Sequence, residues 1–144
     1  MDQLDYNNQG IDWHTFKQGD VIASMTYRVP HADVLSYVTE AMGDSNPFYL
    51  DESPYGGPIV PPGYFYGEYL RILTQANLPM GALNAKLSFR SRGVIMHGEE
   101  VTVVGTIDKF YEKRGRPYMD MEVVVKNKNN LDVLKGLVTL LLKL

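Results

Sequence analysis

The segment from Gly43 to Asp51 combines an acid, an amide and a tyrosine within nine residues, reading Gly-Asp-Ser-Asn-Pro-Phe-Tyr-Leu-Asp. The carboxylate of Asp44 can accept a proton from water, and the hydroxyl of Tyr49 can donate a hydrogen bond that positions the water. A glycine- and proline-rich segment, 56–63, follows closely. If a helix begins there, its free N–H groups near Gly63 can stabilise negative charge on an oxygen.

The same residues also have an ordinary structural interpretation. Asp and Asn both bond readily to nearby backbone, so Asp44 and Asn46 can form a turn and a helix cap. Asn46 is then a support of the loop beside the site, Tyr49 a half-buried tyrosine, and Asp51 a cap of the next turn. The residue types alone leave both interpretations open.

The first half of the chain predicts one strand and two helices. Residues 21–29 alternate between apolar and polar, which is typical of a half-buried strand. Helical spacing begins after Pro30 and ends at Gly43, with an apolar stripe of Val34, Leu35, Val38, Ala41 and Met42. A second helix, predicted to be long and buried, starts at Pro61 and Pro62 and stops at Asn77 and Pro79; its stripe is Phe65, Tyr69, Ile72, Leu73 and Ala76.

The second half predicts an antiparallel meander. Period-two patterns cover residues 83–91, 99–111, 117–126 and 131–143, and turn-rich segments separate them. Together with the helices, this predicts an α+β fold in which an antiparallel sheet wraps a long central helix. Residues 1–144 are expected to form a single domain.

Composition excludes several classes of protein. The chain has 44% hydrophobic residues and a net charge of -3, so it has no basic excess to attract nucleic acid or anionic lipid. It has no cysteine and no apolar run of membrane-span length, and the expected location is the cytoplasm. No spacing indicates a metal site. His97 is expected to be a solvated turn residue, and His14 and His31 show no partner pattern.

Seven aromatic residues lie between Phe48 and Tyr69. Helical spacing places Phe65 and Tyr69 in the core. Tyr64 and Tyr66 are instead candidates for the lining of an apolar tunnel that holds an acyl or aromatic acyl group.

Several of these motifs together resemble the MaoC-like hydratases and dehydratases. They are the Gly-Asp-x-Asn-Pro motif at 43–47, Ile-Val-Pro-Pro at 59–62, Phe-Lys-Gln-Gly-Asp at 16–20 and Glu-Lys-Arg-Gly-Arg at 112–116. The chain looks most like the dehydratase N-terminal-type branch, which includes the substrate-holding subunit of hydroxyacyl-carrier-protein dehydratases. The resemblance spans nearly the whole chain and implies a hotdog fold.

The resemblance also implies functional residues. Active members carry a pattern like G-D-x-N-P-x-H-x-D, whose Asp and His hold the water that is added to, or removed to form, a trans-2-enoyl thioester. Asp44 matches the Asp, but Tyr49 stands at the His position, and a neutral phenol is a poor general base at pH 7. A glycine amide of the family polarises the thioester oxygen. Pro62, which has no N–H, stands at its place, although Gly63 follows directly.

Three functions therefore remain open. The first is an acyl-CoA or acyl-carrier-protein hydratase or dehydratase that uses no cofactor, with Asp44 and Tyr49 as catalytic residues and Asn46, Gly63, Tyr64 and Tyr66 at the substrate. The second is a non-catalytic, substrate-binding subunit of a heterodimeric dehydratase. The third is another thioester or polyketide-tailoring activity, for which Glu68 is the one obvious carboxylate, otherwise expected at the surface or an interface. The resemblance implies a homodimer, or a heterodimer with a second hotdog subunit.

Overall fold

The computed structural model describes residues 16–76 and 83–142. Five strands form one antiparallel sheet in the order β1-β3-β4-β5-β2. Their bounds are β1 Val21–Arg28, β2 Leu83–Ser91, β3 Glu100–Lys113, β4 Arg116–Lys126 and β5 Asp132–Leu141. Each predicted strand is confirmed to within two residues, except that the predicted end of the last strand at residue 143 lies outside the described residues.

The first helical segment changes its winding partway. Helix α1, His31–Ser36, continues into a π-helical turn, Tyr37–Ala41. Val34 and Val38 of the predicted stripe are buried, but Ala41 and Met42 are exposed, because the wider winding rotates the last residues away from the core. Gly43 ends the segment with a φ of 63°, as predicted.

The second predicted helix is divided and shorter than expected. A 3₁₀ turn, Pro62–Phe65, is followed after Tyr66 and Gly67 by helix α3, Glu68–Gln75. Prolines lack the N–H groups of regular helix bonding, and glycine is a poor helix former, so the start of the segment is not α-helical. The predicted stops at Asn77 and Pro79 lie outside the described residues. One further turn of helix, α2, spans Pro47–Leu50.

The α+β arrangement itself is confirmed, because the sheet packs around α3. Phe65 and Ile72 are buried against valines and methionines of the central strands. Within residues 16–76 and 83–142, no helix is long and apolar enough to cross a membrane.

Gly105 of β3 lies directly against Ile72 of α3. A Cβ added there would lie 2.6 Å from Ile72 Cγ2 and 3.3 Å from Met121 Sδ. We expect Gly105→Ala to lower the free energy of unfolding by about 1–3 kcal/mol, because an overpacked core must shift. Gly67→Ala is the matched control, since nothing lies within 4 Å and its φ is -85°. Denaturant unfolding that found both variants equally stable would contradict this packing.

Candidate functional site

The loop of the Gly-Asp-x-Asn-Pro motif is held by its own side chains. The amide of Asp44 donates to the carbonyl of Val38 over 2.9 Å, and Asp44 Oδ1 accepts from the amide of Asn46 over 2.9 Å. Asn46 Oδ1 in turn accepts from the amide of Phe48 and caps α2. Asp44 and Asn46 therefore do form the turn and cap of the structural interpretation. Among the described residues, no group donates to Asp44 Oδ2, and the half-buried carboxylate keeps that oxygen for other partners.

Tyr49 lies on α2, five residues after Asp44. Its amide donates to the carbonyl of Asn46 over 3.0 Å, and its half-buried side chain packs against the edge of the core. The cap at Asn46 thus fixes the spacing between the acid and the tyrosine.

Gly63 is in close contact with a residue that the sequence analysis did not single out, Tyr37. A Cβ at Gly63 would lie only 2.7 Å from Tyr37 Oη, so the hydroxyl reaches the backbone of the 3₁₀ turn. Within residues 16–76 and 83–142, no carbonyl accepts from the Gly63 amide. The phenol of Tyr37 therefore lies against the backbone of Gly63, whose amide has no carbonyl partner among these residues.

Tyr37 is held in place from both sides. Its ring meets that of Tyr64 edge to face, with centroids 5.6 Å apart, and its carbonyl accepts from the amide of Met42 over 2.9 Å. Burial, and then the neighbouring Tyr66, raise the pKa of Tyr37, so its hydroxyl keeps its proton and can donate. Tyr37 lies three residues after Val34, so helical spacing puts it beside the buried stripe. That spacing is the sequence feature from which its position could have been predicted.

The two predicted lining tyrosines both lie near Gly63, Tyr64 next to it in the chain and Tyr66 with Cε2 3.8 Å from a Cβ built at Gly63. Tyr64 is half-buried between Tyr37 and Phe65, whose ring centroid is 5.3 Å away. Tyr66 is exposed and stacks on Phe89 of β2, with centroids 4.8 Å apart and planes 19° apart. The structure thus brings Gly63, Tyr64 and Tyr66 together and adds Tyr37.

The expected surface or interface position of Glu68 is wrong. Its side chain is buried inside this chain, under Tyr27, and Arg71 pairs with it at 3.3 Å. Burial raises the pKa of Glu68, while Arg71 and Tyr27 lower it. The carboxylate lies close to Tyr27, whose hydroxyl has no partner in hydrogen-bond geometry among the described residues. Glu68 is thus paired with Arg71 of its own helix, and its side chain is shielded from solvent.

His97 lies in a turn, as expected, but its half-buried ring is not simply solvated. Its Nε2 lies 3.2 Å from the carbonyl oxygen of Ile59, and its Nδ1 lies 2.7 Å from Nδ1 of His31. Its half-buried ring is also close to the backbone of Tyr49. A residue distant in sequence therefore supports the segment that carries Tyr49, and His31 has a partner after all.

No three His, Cys, Asp or Glu side chains within the described parts of the chain form a group that could hold a metal ion. One groove of about 390 Å³ is lined by His97 and its neighbours. The lining of this groove is charged, whereas the surroundings of Gly63 are aromatic. Its charged residues are Arg28, Glu99, Glu100 and Lys128.

The sequence matches a family of known domains. The family described as FAS1-like, dehydratase domain region, covers residues 17–135. No curated protein matches the chain in sequence.

Solved structures share its architecture at low sequence identity. The (R)-hydratase from A. caviae involved in PHA biosynthesis is 19% identical, with a TM-score of 0.74 over 89% of this chain and 98% of that one. The MaoC-like dehydratase from Rhodospirillum rubrum is 19% identical, with a TM-score of 0.76 over 94% and 99%. The HadBC (3R-hydroxyacyl-ACP dehydratase) complex from Mycobacterium tuberculosis is 14% identical, with a TM-score of 0.71 over 85% of this chain and 95% of that one. The chain has the hotdog fold of these proteins and belongs to the FAS1-like dehydratase-region family.

Proposed function

We propose that this protein acts on acyl-CoA or acyl-carrier-protein thioesters, adding water to a 2-enoyl group or removing it from a 3-hydroxyacyl group. The dehydratase family supports the class of reaction. The observation that carries the proposal at the level of residues is the meeting of the Tyr37 hydroxyl with the backbone of Gly63. A thioester oxygen needs fixed hydrogen-bond donors, and the Tyr37 hydroxyl and the Gly63 amide are two that this segment can offer.

In the hydration direction, Asp44 is the group that takes the proton of water. As the water oxygen bonds to the β-carbon, a proton of the water passes to the carboxylate, and the protonated carboxyl then gives that proton to the α-carbon, which completes the addition and restores the carboxylate. Asp44 Oδ2 is the oxygen available for this step, since Oδ1 already accepts from Asn46. Tyr49 donates a hydrogen bond that orients the water.

Charge that develops on the thioester oxygen needs fixed donors. The amide of Gly63 and the hydroxyl of Tyr37 form a pair that is in place before the reaction, which is the arrangement that stabilises an enolate at little reorganisation cost. The amide of Asp44 is bonded to Val38, the neighbour of Tyr37, so the loop of the acid and the donor pair are joined through one helical segment.

A second function is favoured by one observation. Tyr49 occupies the position of the histidine that the resemblance expects, and a phenol does not replace its basicity. The chain would then be the substrate-binding subunit of a heterodimeric dehydratase, holding the acyl group while a second hotdog subunit supplies the complete acid and histidine. The similar structures of HadBC and of ChsH1-ChsH2 are both complexes, which supports an assembly with a second subunit.

A partner subunit also suits one surface of the chain. Strand β2 is at the edge of the sheet, paired only with β5 among the described strands. Tyr66 stacks on Phe89 of this strand, and Leu87 of the same strand is exposed. An open strand edge next to exposed apolar side chains is a surface that another subunit covers. We propose a dimer, with a second copy or a second hotdog chain, through this surface.

Replacement of Tyr49 by histidine separates the two functions. Because a histidine would add a second basic group beside Asp44, we expect Tyr49→His to raise the rate of enoyl-CoA hydration by the chain alone by about tenfold or more. Tyr49→Phe, which removes only the hydroxyl, should lower any activity of the unmodified chain. Rates followed by loss of enoyl-thioester absorbance check both. If neither variant differs from the unmodified chain, Tyr49 has no part in the site.

A further inference from the structure

Two histidines from distant parts of the chain share a hydrogen. Nδ1 of His31 and Nδ1 of His97 are 2.7 Å apart, and the ring centroids are 4.9 Å apart with planes tilted by 53°. This centroid separation is close to the largest that such a nitrogen–nitrogen distance permits, so each Nδ1 points almost straight at the other. Nitrogens that point at each other form a hydrogen bond, whereas metal ligands point at a common third position.

The backbone determines which ring donates. Nε2 of His97 faces the carbonyl of Ile59, which only accepts, so Nε2 carries the hydrogen. In a neutral imidazole the other nitrogen is then bare, and Nδ1 of His97 must accept from Nδ1–H of His31. An additional proton fits on the outer nitrogen of the exposed His31 ring. With both nitrogens of His31 then protonated, a further proton on Nδ1 of His97 puts two N–H groups head to head and breaks the bond.

The pair joins the two segments that carry the candidate site. On one side, His97 binds Ile59 through its ring and Pro58 through its amide, and the amide of Ile59 donates to the carbonyl of Phe48, next to Tyr49. On the other side, His31 is the first residue of α1, which leads directly into Tyr37. The bond between the rings is therefore a direct link from the helix of Tyr37 to the surroundings of Tyr49.

We propose that the His31–His97 pair is a proton-sensitive clasp that positions the helix of Tyr37 against the segment of Tyr49. His97 is a positioning residue in this role, because it acts through the backbone that it holds. The clasp itself does not depend on the proposed function, and only its effect on turnover rests on it.

The surroundings of His97 favour its neutral, bonded form. Burial of the ring lowers the pKa of His97 and His31 lowers it further, while the carbonyl of Ile59 and the backbone of Tyr49 oppose the shift. The charged groups that line the groove around the ring are Arg28 from β1, Glu99 and Glu100 at the start of β3, and Lys128 from the turn after β4. Histidine is the side chain whose ordinary titration lies between pH 5 and 8, so the pair is the natural sensor in this range.

The direction of the pH effect follows from that shift. Because the folded pKa of His97 is below the ordinary value of about 6.5, the unfolded chain binds more protons in the interval between the two. The clasp contributes fully above about pH 6.5. Its contribution is lost as the pH falls through the folded value.

Imidazole ¹⁵N NMR of the full chain tests the clasp without any activity measurement. At pH 8 we expect His97 as the Nε2–H tautomer and His31 as the rarer Nδ1–H tautomer. On acidification, the side-chain signals of Tyr37 should shift with the same titration midpoint as those of His97. In His31→Ala that midpoint should rise and Tyr37 should no longer follow it. His31→Asn retains an amide donor and should keep the tautomer of His97, and His14→Asn is the control for the third histidine.

Three results would overturn the proposal. One is an Nε2–H tautomer for both rings at pH 8. Another is a midpoint of His97 that His31→Ala leaves unchanged. The third is a set of Tyr37 signals that ignore the titration of His97. If the NMR results are as expected but the chain neither hydrates nor binds enoyl thioesters, the clasp stands and the proposed function fails.

Discussion

Asp44→Asn is expected to lower the rate of enoyl-thioester hydration by at least about a hundredfold, because an amide cannot take the proton of water. Folding should be unaffected. Asn at position 44 still presents an oxygen to the amide of Asn46, so the turn that Asp44 Oδ1 now closes is retained. The measurement is the loss of enoyl absorbance with crotonyl-CoA, with far-ultraviolet circular dichroism as the check of folding.

Asp51→Asn is the matched control for this loss. Asp51 is an exposed carboxylate at the end of α2, and its amide donates to the carbonyl of Pro47. It shares the charge and the neighbourhood of Asp44 without a place in the site. A folded Asp44→Asn variant with most of its activity, or an equal loss in Asp51→Asn, would remove Asp44 from the role of general base.

Gly63→Ala is expected to have the second largest effect, through Tyr37. The new methyl group would lie 2.7 Å from Tyr37 Oη, so the hydroxyl must leave its position and one donor of the pair is lost. Loss of one such donor lowers turnover by about 10²–10³-fold. The same clash should lower the free energy of unfolding by about 1–3 kcal/mol.

Combining Gly63→Ala with Tyr37→Phe tests whether the loss of stability comes from the clash with the Tyr37 hydroxyl. Without the oxygen, the nearest atom of this ring is Tyr37 Cζ at 3.9 Å, an ordinary contact distance. The double variant should therefore be nearly as stable as Tyr37→Phe alone, whereas turnover stays low in all three variants. Denaturant unfolding of the four proteins gives the coupling energy. Additive losses of stability would show that the alanine is destabilising for a reason other than Tyr37.

The strands were predictable because their signal is local. A period of two and turn-rich separators place β2 at residues 83–91, as observed, and the other strands within two residues. The same holds for the end of the first helix, where only a residue tolerant of positive φ fits, and the chain has Gly43. The packed stripe of Phe65 and Ile72 follows from helical spacing in the same way.

The site could be predicted only in part, since much of it is made by contacts between distant segments. His31 and His97 are 66 residues apart, and nothing local to either shows that they meet. Glu68 of α3 lies close to Tyr27 of β1, a contact between distant segments that local sequence does not show. The place of Tyr37 depends on a π-helical turn that propensities do not report. Asp44, Asn46 and Tyr49, by contrast, lie within one short motif.

Hydration of crotonyl-CoA and of a longer trans-2-enoyl-CoA by the purified chain tests the central claim most directly. The enoyl-thioester absorbance reports the reaction, and a thermal shift with the same thioesters reports binding. We expect the chain to hydrate both thioesters, and Asp44→Asn to abolish hydration while binding remains. A well-folded chain that neither hydrates nor binds either thioester would contradict it.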